Sequence, residues 1–397
     1  MAKTLEELHA LYGNDKGTAF HDPRLKAVAD GQFQEGGRRA WPFAGVSTLL
    51  DAPYRPDLAE AVAKGAAVSG IDVALIGVPM DLGVTNRAGA RRGPKAVREI
   101  ERIGPYNRVL DVAPLQVKRF ADLGDVPMRS RYDLTSCHED IEDFFTRVVQ
   151  AGLVPLAVGG DHSISRPVLA ALAKRHGPLG MVHIDAHADT SGVYEGAKFH
   201  HGGPFRQAVL EGSLDPTRTI QIGIRGGGDY LWEFSYASGM TVIHAEEVAE
   251  MGVPAVIARA LEVIGAGPTY ISFDVDSLDP AYAPGTGTPV WGGLTSAQAA
   301  AIRRCWAICV IAFATVSVDL SQRGQPVGFA VRLAQQLVGC GVADEPAGLG
   351  VEVQRAVGVV GDVAKVDQCT REVSGAGVGP RGGTPGADGT QEVVHVF

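Results

Sequence analysis

The chain has 397 residues, 45% of them hydrophobic and 20% charged, with a formal net charge of −9. That length suffices for one large α/β domain or two smaller ones, and the composition is that of an ordinary globular protein. An acidic balance argues against a nucleic-acid partner, because neutralising phosphates needs clustered Lys and Arg.

The N-terminal stretch Met1–Gly17 mixes charges with single apolar residues, so neither a secretory signal nor a transit peptide is expected there. Residues 1 to about 70 read as an irregular N-terminal segment, with Pro42, Pro53 and Pro56 breaking any long helix. From there to about residue 320 one theme recurs: a short apolar run, a turn carrying Gly, Asp or His, then a helical stretch. The runs are Val73–Pro79, Leu153–Val158, Gly180–Ile184, Thr219–Arg225, Thr241–His244 and Tyr270–Val275. Amphipathic stretches such as Ser165–Arg175 and Val253–Ile264 lie between them. Continuous apolar strands alternating with helices predict a three-layer α/β/α domain over 70–320 with a central parallel sheet. Residues 321–397 form an atypical tail, and Gly375–Gly389 is low-complexity and expected to be disordered.

The longest apolar stretch, Cys305–Val318, is shorter than the roughly 20 residues a membrane-spanning helix needs, so no membrane partner is expected. The five cysteines are Cys137, Cys305, Cys309, Cys340 and Cys369. An odd number in a chain without a signal fits reduced thiols and a cytoplasmic location. Cys305 and Cys309 share a helical spacing, but no second Cys or His pair follows at the spacing of a structural zinc site.

Polar residues cluster just after the strands, where open parallel sheets place ligands. Three segments concentrate Asp and His: Gly159-Gly160-Asp161-His162, Asp185-Ala186-His187-Ala188-Asp189 and Ser272-Phe273-Asp274-Val275-Asp276. In extended chain alternate residues point the same way, so each segment offers ligands toward one point. Carboxylates packed this closely repel one another unless a cation neutralises them. Alone, Asp276 reads as a turn cap and His162 as a hydrogen-bonded loop histidine; three such clusters at strand ends do not. A carboxylate-rich set with a few imidazoles suits a divalent ion such as Mn²⁺ better than the thiolate sites of structural Zn²⁺.

These segments resemble the signature motifs of the ureohydrolase family, which includes arginase, agmatinase and guanidinobutyrase. Phe43-Ala44-Gly45 with Thr48, Pro53 and Tyr54, then Gly77–Asp81, Asn86–Arg91, Gln221–Gly226 and Pro284–Pro289 are similar to its agmatinase and guanidinobutyrase branch. The resemblance covers roughly residues 40 to 300. It implies two Mn²⁺ per subunit. His162, Asp185, Asp189 and Asp274 match the ligands of one ion, and His187, Asp185, Asp274 and Asp276 those of the other, so Asp185 and Asp274 would bridge. It also implies a homo-oligomer that hydrolyses a small guanidino substrate, of the agmatine or 4-guanidinobutyrate type, to urea and an amine. Asp189 would aim the attacking water, and His201 would shuttle protons near the leaving amine. Histidine suits that task because its ordinary pKa is about 6.5. His200 competes for the role, and His183 is read as facing away from the site, with a packing role.

Family members carry one more group, a Glu on a late strand that grips the guanidinium. Here the corresponding stretch is Val310–Val318, and no Glu occurs between Ala266 and Asp344; by register Thr315 or Ser317 takes its place. Either this member lacks the Glu, or the reading frame shifts after about Ala297. A catalytically impaired metal-binding member with a structural or regulatory role is the alternative to an enzyme. For the far end of the substrate, Glu195, Lys198 and Arg87 leave the choice between an amine and a carboxylate open.

Overall fold

The computed structural model describes residues 2–13, 21–23, 25–26, 44–99, 118–304 and 312–317, with backbone alone at 303–304 and 312–317. The tail 321–397, Phe43 and the cysteines at 305, 309, 340 and 369 lie outside the described residues.

Among the described residues eight strands make one sheet: β1 (Val73–Val78), β2 (Phe120–Asp125), β3 (Val154–Gly159), β4 (Leu179–Ile184), β5 (Leu214–Ile224), β6 (Thr241–His244), β7 (Thr269–Asp274) and β8 (Ala312–Ser317). Their order is β2-β1-β3-β8-β7-β4-β5-β6, and every pairing is parallel. The strands read as unbroken apolar runs because both faces are covered. In β1, Val73 and Leu75 enter one core with the helices Gly93–Arg98, Val253–Ile264 and Ser296–Arg304, while Ala74, Ile76 and Val78 enter a second. That second core lies under the helices Pro56–Ala63, Leu134–Gln150, Ser165–His176 and Pro204–Leu210. Each fully buried aliphatic side chain in these layers contributes about 1.5–3 kcal/mol of burial.

The three-layer α/β/α architecture is therefore as the sequence predicts, with strand ends within a few residues for all but one strand. Pro56 opens a helix, at the first turn where its missing N–H is not needed, and so starts structure instead of breaking it. The helix Leu5–Tyr12 carries a capping box of Thr4 and Glu7. Strand β2 has no counterpart among the sequence runs. Its core residues Phe120, Ala121 and Leu123 are interrupted by Asp122 and followed by Gly124. Asp122 is buried and fully used: it accepts from Leu49 N–H (2.8 Å), Gly124 N–H (2.8 Å), Arg98 Nε (2.8 Å) and Arg98 Nη2 (3.0 Å). A polar residue inside an edge strand breaks the apolar pattern while tying three segments together.

No described helix is long and apolar enough to cross a membrane.

Candidate metal centre

Three of the sheet's inner strands, β3, β4 and β7, deliver the Asp and His segments at their carboxyl ends. After β3, Asp161 caps the short turn His162–Ile164; its carboxylate accepts from Ser163 N–H (2.9 Å) and, across the gap to the loop after β1, from Gly83 N–H (2.8 Å). Gly160 has a φ of +91°, and a Cβ there would lie 2.5 Å from the Val78 carbonyl oxygen. Only glycine lets this turn sit against β1.

The turn projects His162 into a fully enclosed position. Its Nε2 meets Ser272 Oγ at 2.6 Å, and Phe205 stands edge-on to the ring at 5.3 Å. The other nitrogen, Nδ1, is buried without a hydrogen-bond partner, yet lies 3.0 Å from Asp185 Oδ2, 2.9 Å from Asp189 Oδ2 and 3.4 Å from Asp274 Oδ2. An orphaned imidazole nitrogen facing three carboxylate oxygens suits the donor set of a metal ion. Beside it lies a second group, Asp185, His187 and Asp276, with His187 Nδ1 3.0 Å from Asp276 Oδ2 and 3.6 Å from Asp185 Oδ1. Asp185 belongs to both groups. The residues present thus fit divalent ions held by oxygen and imidazole nitrogen.

The electrostatics of the cluster's own side chains point the same way. Burial pushes the Asp274 carboxyl well above its usual range, and the charges of Asp276 and Asp185 push it further. Asp276 rises through burial and repulsion from Asp185. Burial would raise Asp185 too, but His183, His162 and His187 outweigh it and hold the group well below the usual carboxylate range. Burial would lower His187, but Asp276 and Asp185 push it up to about 12. An imidazole must shed its proton to ligate, so ion binding releases protons and weakens as the pH falls.

All six sequence-predicted ligands come together, but not by simple alternation. The chain bends directly after β4, and Asp189 adopts the left-handed region at φ +52°. That conformation costs about 1 kcal/mol or more and is one to which short polar side chains are suited. Asp276 lies in a short 3₁₀ turn, its own N–H donating to the capping Asp274 carboxylate at 3.0 Å, so it too leaves the extended geometry.

His183 corrects the sequence reading. It does not face away: its Nε2 lies 2.8 Å from Asp185 Oδ2, and it groups with His162, Asp185 and Asp189. It stands two residues before Asp185 and so shares its side of the strand, a parity the sequence shows directly. Gln221 of β5 supports it, with Nε2 3.0 Å from His183 Nδ1 and 2.6 Å from the Ala188 carbonyl.

Of the two adjacent histidines, His200 is buried against the Gly192 carbonyl (2.7 Å), whereas His201 lines the cavity that also exposes His162, Asp274, Asp276 and Arg87. Thr85 was not among the sequence candidates. Its N–H donates to His201 Nε2 at 3.1 Å and its hydroxyl lies 2.7 Å from the same atom, while His201 N–H donates to the Gly83 carbonyl. With Nε2 accepting, the neutral ring carries its proton on Nδ1. Lys198 pairs instead with Glu211 at 3.4 Å. Strand β8 lies between β3 and β7, with Ser317 in register beside Asp274 and Thr315 beside Ser272.

A parallel sheet covered on both faces, gathering buried Asp and His at its carboxyl edge, makes this an α/β/α protein with a candidate metal centre. The chain belongs to the arginase family, whose model matches residues 71–339. It is similar to guanidinopropionase of Pseudomonas aeruginosa, at 49% identity over 65% of this chain and 78% of that protein. It is also similar to guanidinobutyrase of Pseudomonas aeruginosa, at 40% identity over 72% of this chain and 88% of that one. Among solved structures, proclavaminate amidino hydrolase from Streptomyces clavuligerus superposes with a TM-score of 0.69 at 33% identity, covering 75% of this chain and 97% of its own.

Proposed function

We propose that this protein is a cytoplasmic, homo-oligomeric ureohydrolase that holds two Mn²⁺ per subunit and cleaves a small guanidino compound to urea and an amine. The observation that carries this is the shared carboxylate of Asp185, set between the His162–Asp189 and His187–Asp276 groups. His162, Asp185, Asp189 and Asp274 would hold one ion, and Asp185, His187, Asp274 and Asp276 the other. When bound, such a pair makes water a nucleophile at neutral pH. The chain's own residues do the rest. Asp189 and the enclosing carboxylates orient the water, and Phe205 closes the floor behind His162. His201, anchored by Thr85, leaves Nδ1 free to hand a proton toward the departing amine.

Among Glu195, Lys198 and Arg87, Arg87 lines the cavity, its Nη1 3.5 Å from the Thr286 carbonyl. A guanidinium at the cavity wall favours a substrate ending in a carboxylate, a guanidino acid. The testing experiment assays urea release by Mn²⁺-loaded protein from 3-guanidinopropionate, 4-guanidinobutyrate, agmatine and arginine. A guanidino acid should exceed agmatine about tenfold or more in kcat/KM, as one charge-assisted contact contributes about 1.5–3 kcal/mol. Urea from none of the four overturns the enzymatic reading and leaves the impaired metal-binding member.

His201→Asn is expected to lower kcat by about 10²-fold or more with bound Mn²⁺ unchanged, the usual scale of one general acid–base group. A variant with full kcat would remove His201 from the chemistry.

A further inference from the structure

The segment Gln221–Gly226 resembles its family counterparts, and its last two residues, Arg225 and Gly226, have no part in the chemistry above. Arg225 is a part-buried cation that pairs with no carboxylate among the described residues. Its guanidinium is instead given to backbone carbonyls. Nε donates to Val290 and Trp291 (3.2 Å each), Nη1 to Gly223 (3.1 Å) and Ser277 (3.2 Å), and Nη2 to Asp276 (2.8 Å), Val290 (2.8 Å) and Leu278 (3.3 Å). One planar group thus joins the end of β5 to both limbs of the loop between Asp276 and Leu294.

The loop is shaped to admit it. Leu278 and Leu294 pair across its neck, and Asp279 accepts from the Gly292 and Gly293 N–H groups at 2.8 and 3.1 Å. A Cβ on Gly293 would lie 2.5 Å from Arg225 Nη2. On the other side, the N–H groups of Arg225 and Gly226 both donate to the Ala186 carbonyl at 2.8 Å, next to His187. A Cβ on Gly226 would lie 2.5 Å from the His187 ring. The two residues therefore fix Asp276 from one direction and His187 from the other, which is how those side chains come to face each other at 3.0 Å. Among the described residues no hydrogen bond links Arg225 to His162 or Asp189.

We infer that Arg225 is a positioning residue for one ion of the pair, the one held by His187 and Asp276, and that it acts by bridging carbonyls of β5 and the Asp276–Leu294 loop. This rests on the proposed two-ion centre. Residues that orient metal ligands typically change affinity by about 10- to 100-fold when altered. Arg225→Met should bind one Mn²⁺ with the affinity of the unaltered protein and the second about 10- to 100-fold more weakly. At a free Mn²⁺ concentration that saturates the unaltered protein, the variant's electron paramagnetic resonance spectrum should be dominated by an isolated ion, whereas the unaltered protein should give that of a spin-coupled pair.

Arg225→Lys separates bridging from charge. Lysine keeps the cation but cannot span carbonyls on both sides, so it too should lose the second ion selectively. It also decides the matter if Arg225→Met does not fold, as judged by circular dichroism of the metal-free protein. Folded Arg225→Lys that binds both ions as tightly as the unaltered protein, or loses affinity for both equally, overturns the inference. Failure of the underlying two-ion reading shows differently, as unaltered protein that binds no Mn²⁺ or only one.

Discussion

Asp185→Ala is expected to lose both ions and to lower urea production by about 10³-fold or more. Asp185 is the carboxylate common to the two ligand groups, and it is almost wholly buried. Its removal leaves His162 and Asp189 on one side, and His187 and Asp276 on the other, without the charge between them. A loss of 10³ corresponds to about 4 kcal/mol of transition-state stabilisation, the several kcal/mol that a metal pair contributes. Asp274→Ala should approach the same effect, because Asp274 Oδ2 also faces His162 Nδ1. Asp276→Ala should cost less metal, since Asp276 belongs to one group only. Elemental analysis of the Mn²⁺-loaded variants, together with initial rates, checks the order. Asp185→Ala that retains two ions per chain would remove the bridge.

Ser317→Glu is expected to raise kcat/KM for a guanidino substrate by about 10²-fold without changing metal content. Ser317 is paired in register with Asp274, at the carboxyl end of the strand that separates β3 from β7. The resemblance to ureohydrolases implies a Glu on this strand that grips the guanidinium, and this chain has none between Ala266 and Asp344. A bidentate carboxylate–guanidinium pair combines two charge-assisted hydrogen bonds of about 1.5–3 kcal/mol each. At 1.36 kcal/mol per factor of ten, its absence should depress kcat/KM by about that 10²-fold or more. The chain as given should therefore bind Mn²⁺ and hydrolyse guanidino compounds slowly. Near-normal urea production by protein whose mass matches the sequence would show that another group holds the guanidinium. If the frame shifts after about Ala297, sequencing the codons from Leu294 to Leu320 will restore an apolar-Glu-Val segment near position 316.

The candidate ligand cluster was legible in the sequence because metal chemistry demands particular residue types in short segments, and a parallel sheet puts those segments at strand ends. His162, Asp185, His187, Asp189, Asp274 and Asp276 all carry that signal, and they meet in space. What positions them carries a weaker one. Gln221 holds His183 from a strand 38 residues away in sequence, and Thr85 meets His201 across 116. No local pattern marks either contact, because each depends on how strands are ordered, not on what each strand contains. Strand β2 escaped for a related reason. Asp122 is satisfied by Leu49 and Arg98, partners outside its own segment, so within that segment it looks like a break.

The place of β8 has a consequence for the order in which the molecule can be assembled on the ribosome. Without β8 the sheet is two separate ladders, β2-β1-β3 and β7-β4-β5-β6. His162 hangs from the first, and Asp185, Asp189 and Asp274 from the second. The strand that zips them together is the last among the described residues, so both ladders emerge with an inner edge still open. At about 5–20 residues per second, the stretch from Asp274 to Ser317 takes about 2–9 s to synthesise. During that interval the nitrogen donor and its carboxylate partners belong to different halves of the nascent protein. The ligand group that contains His162 is therefore completed only by a late seal across the seam, whereas Asp185, His187, Asp274 and Asp276 already share the second ladder before Ala312 is made.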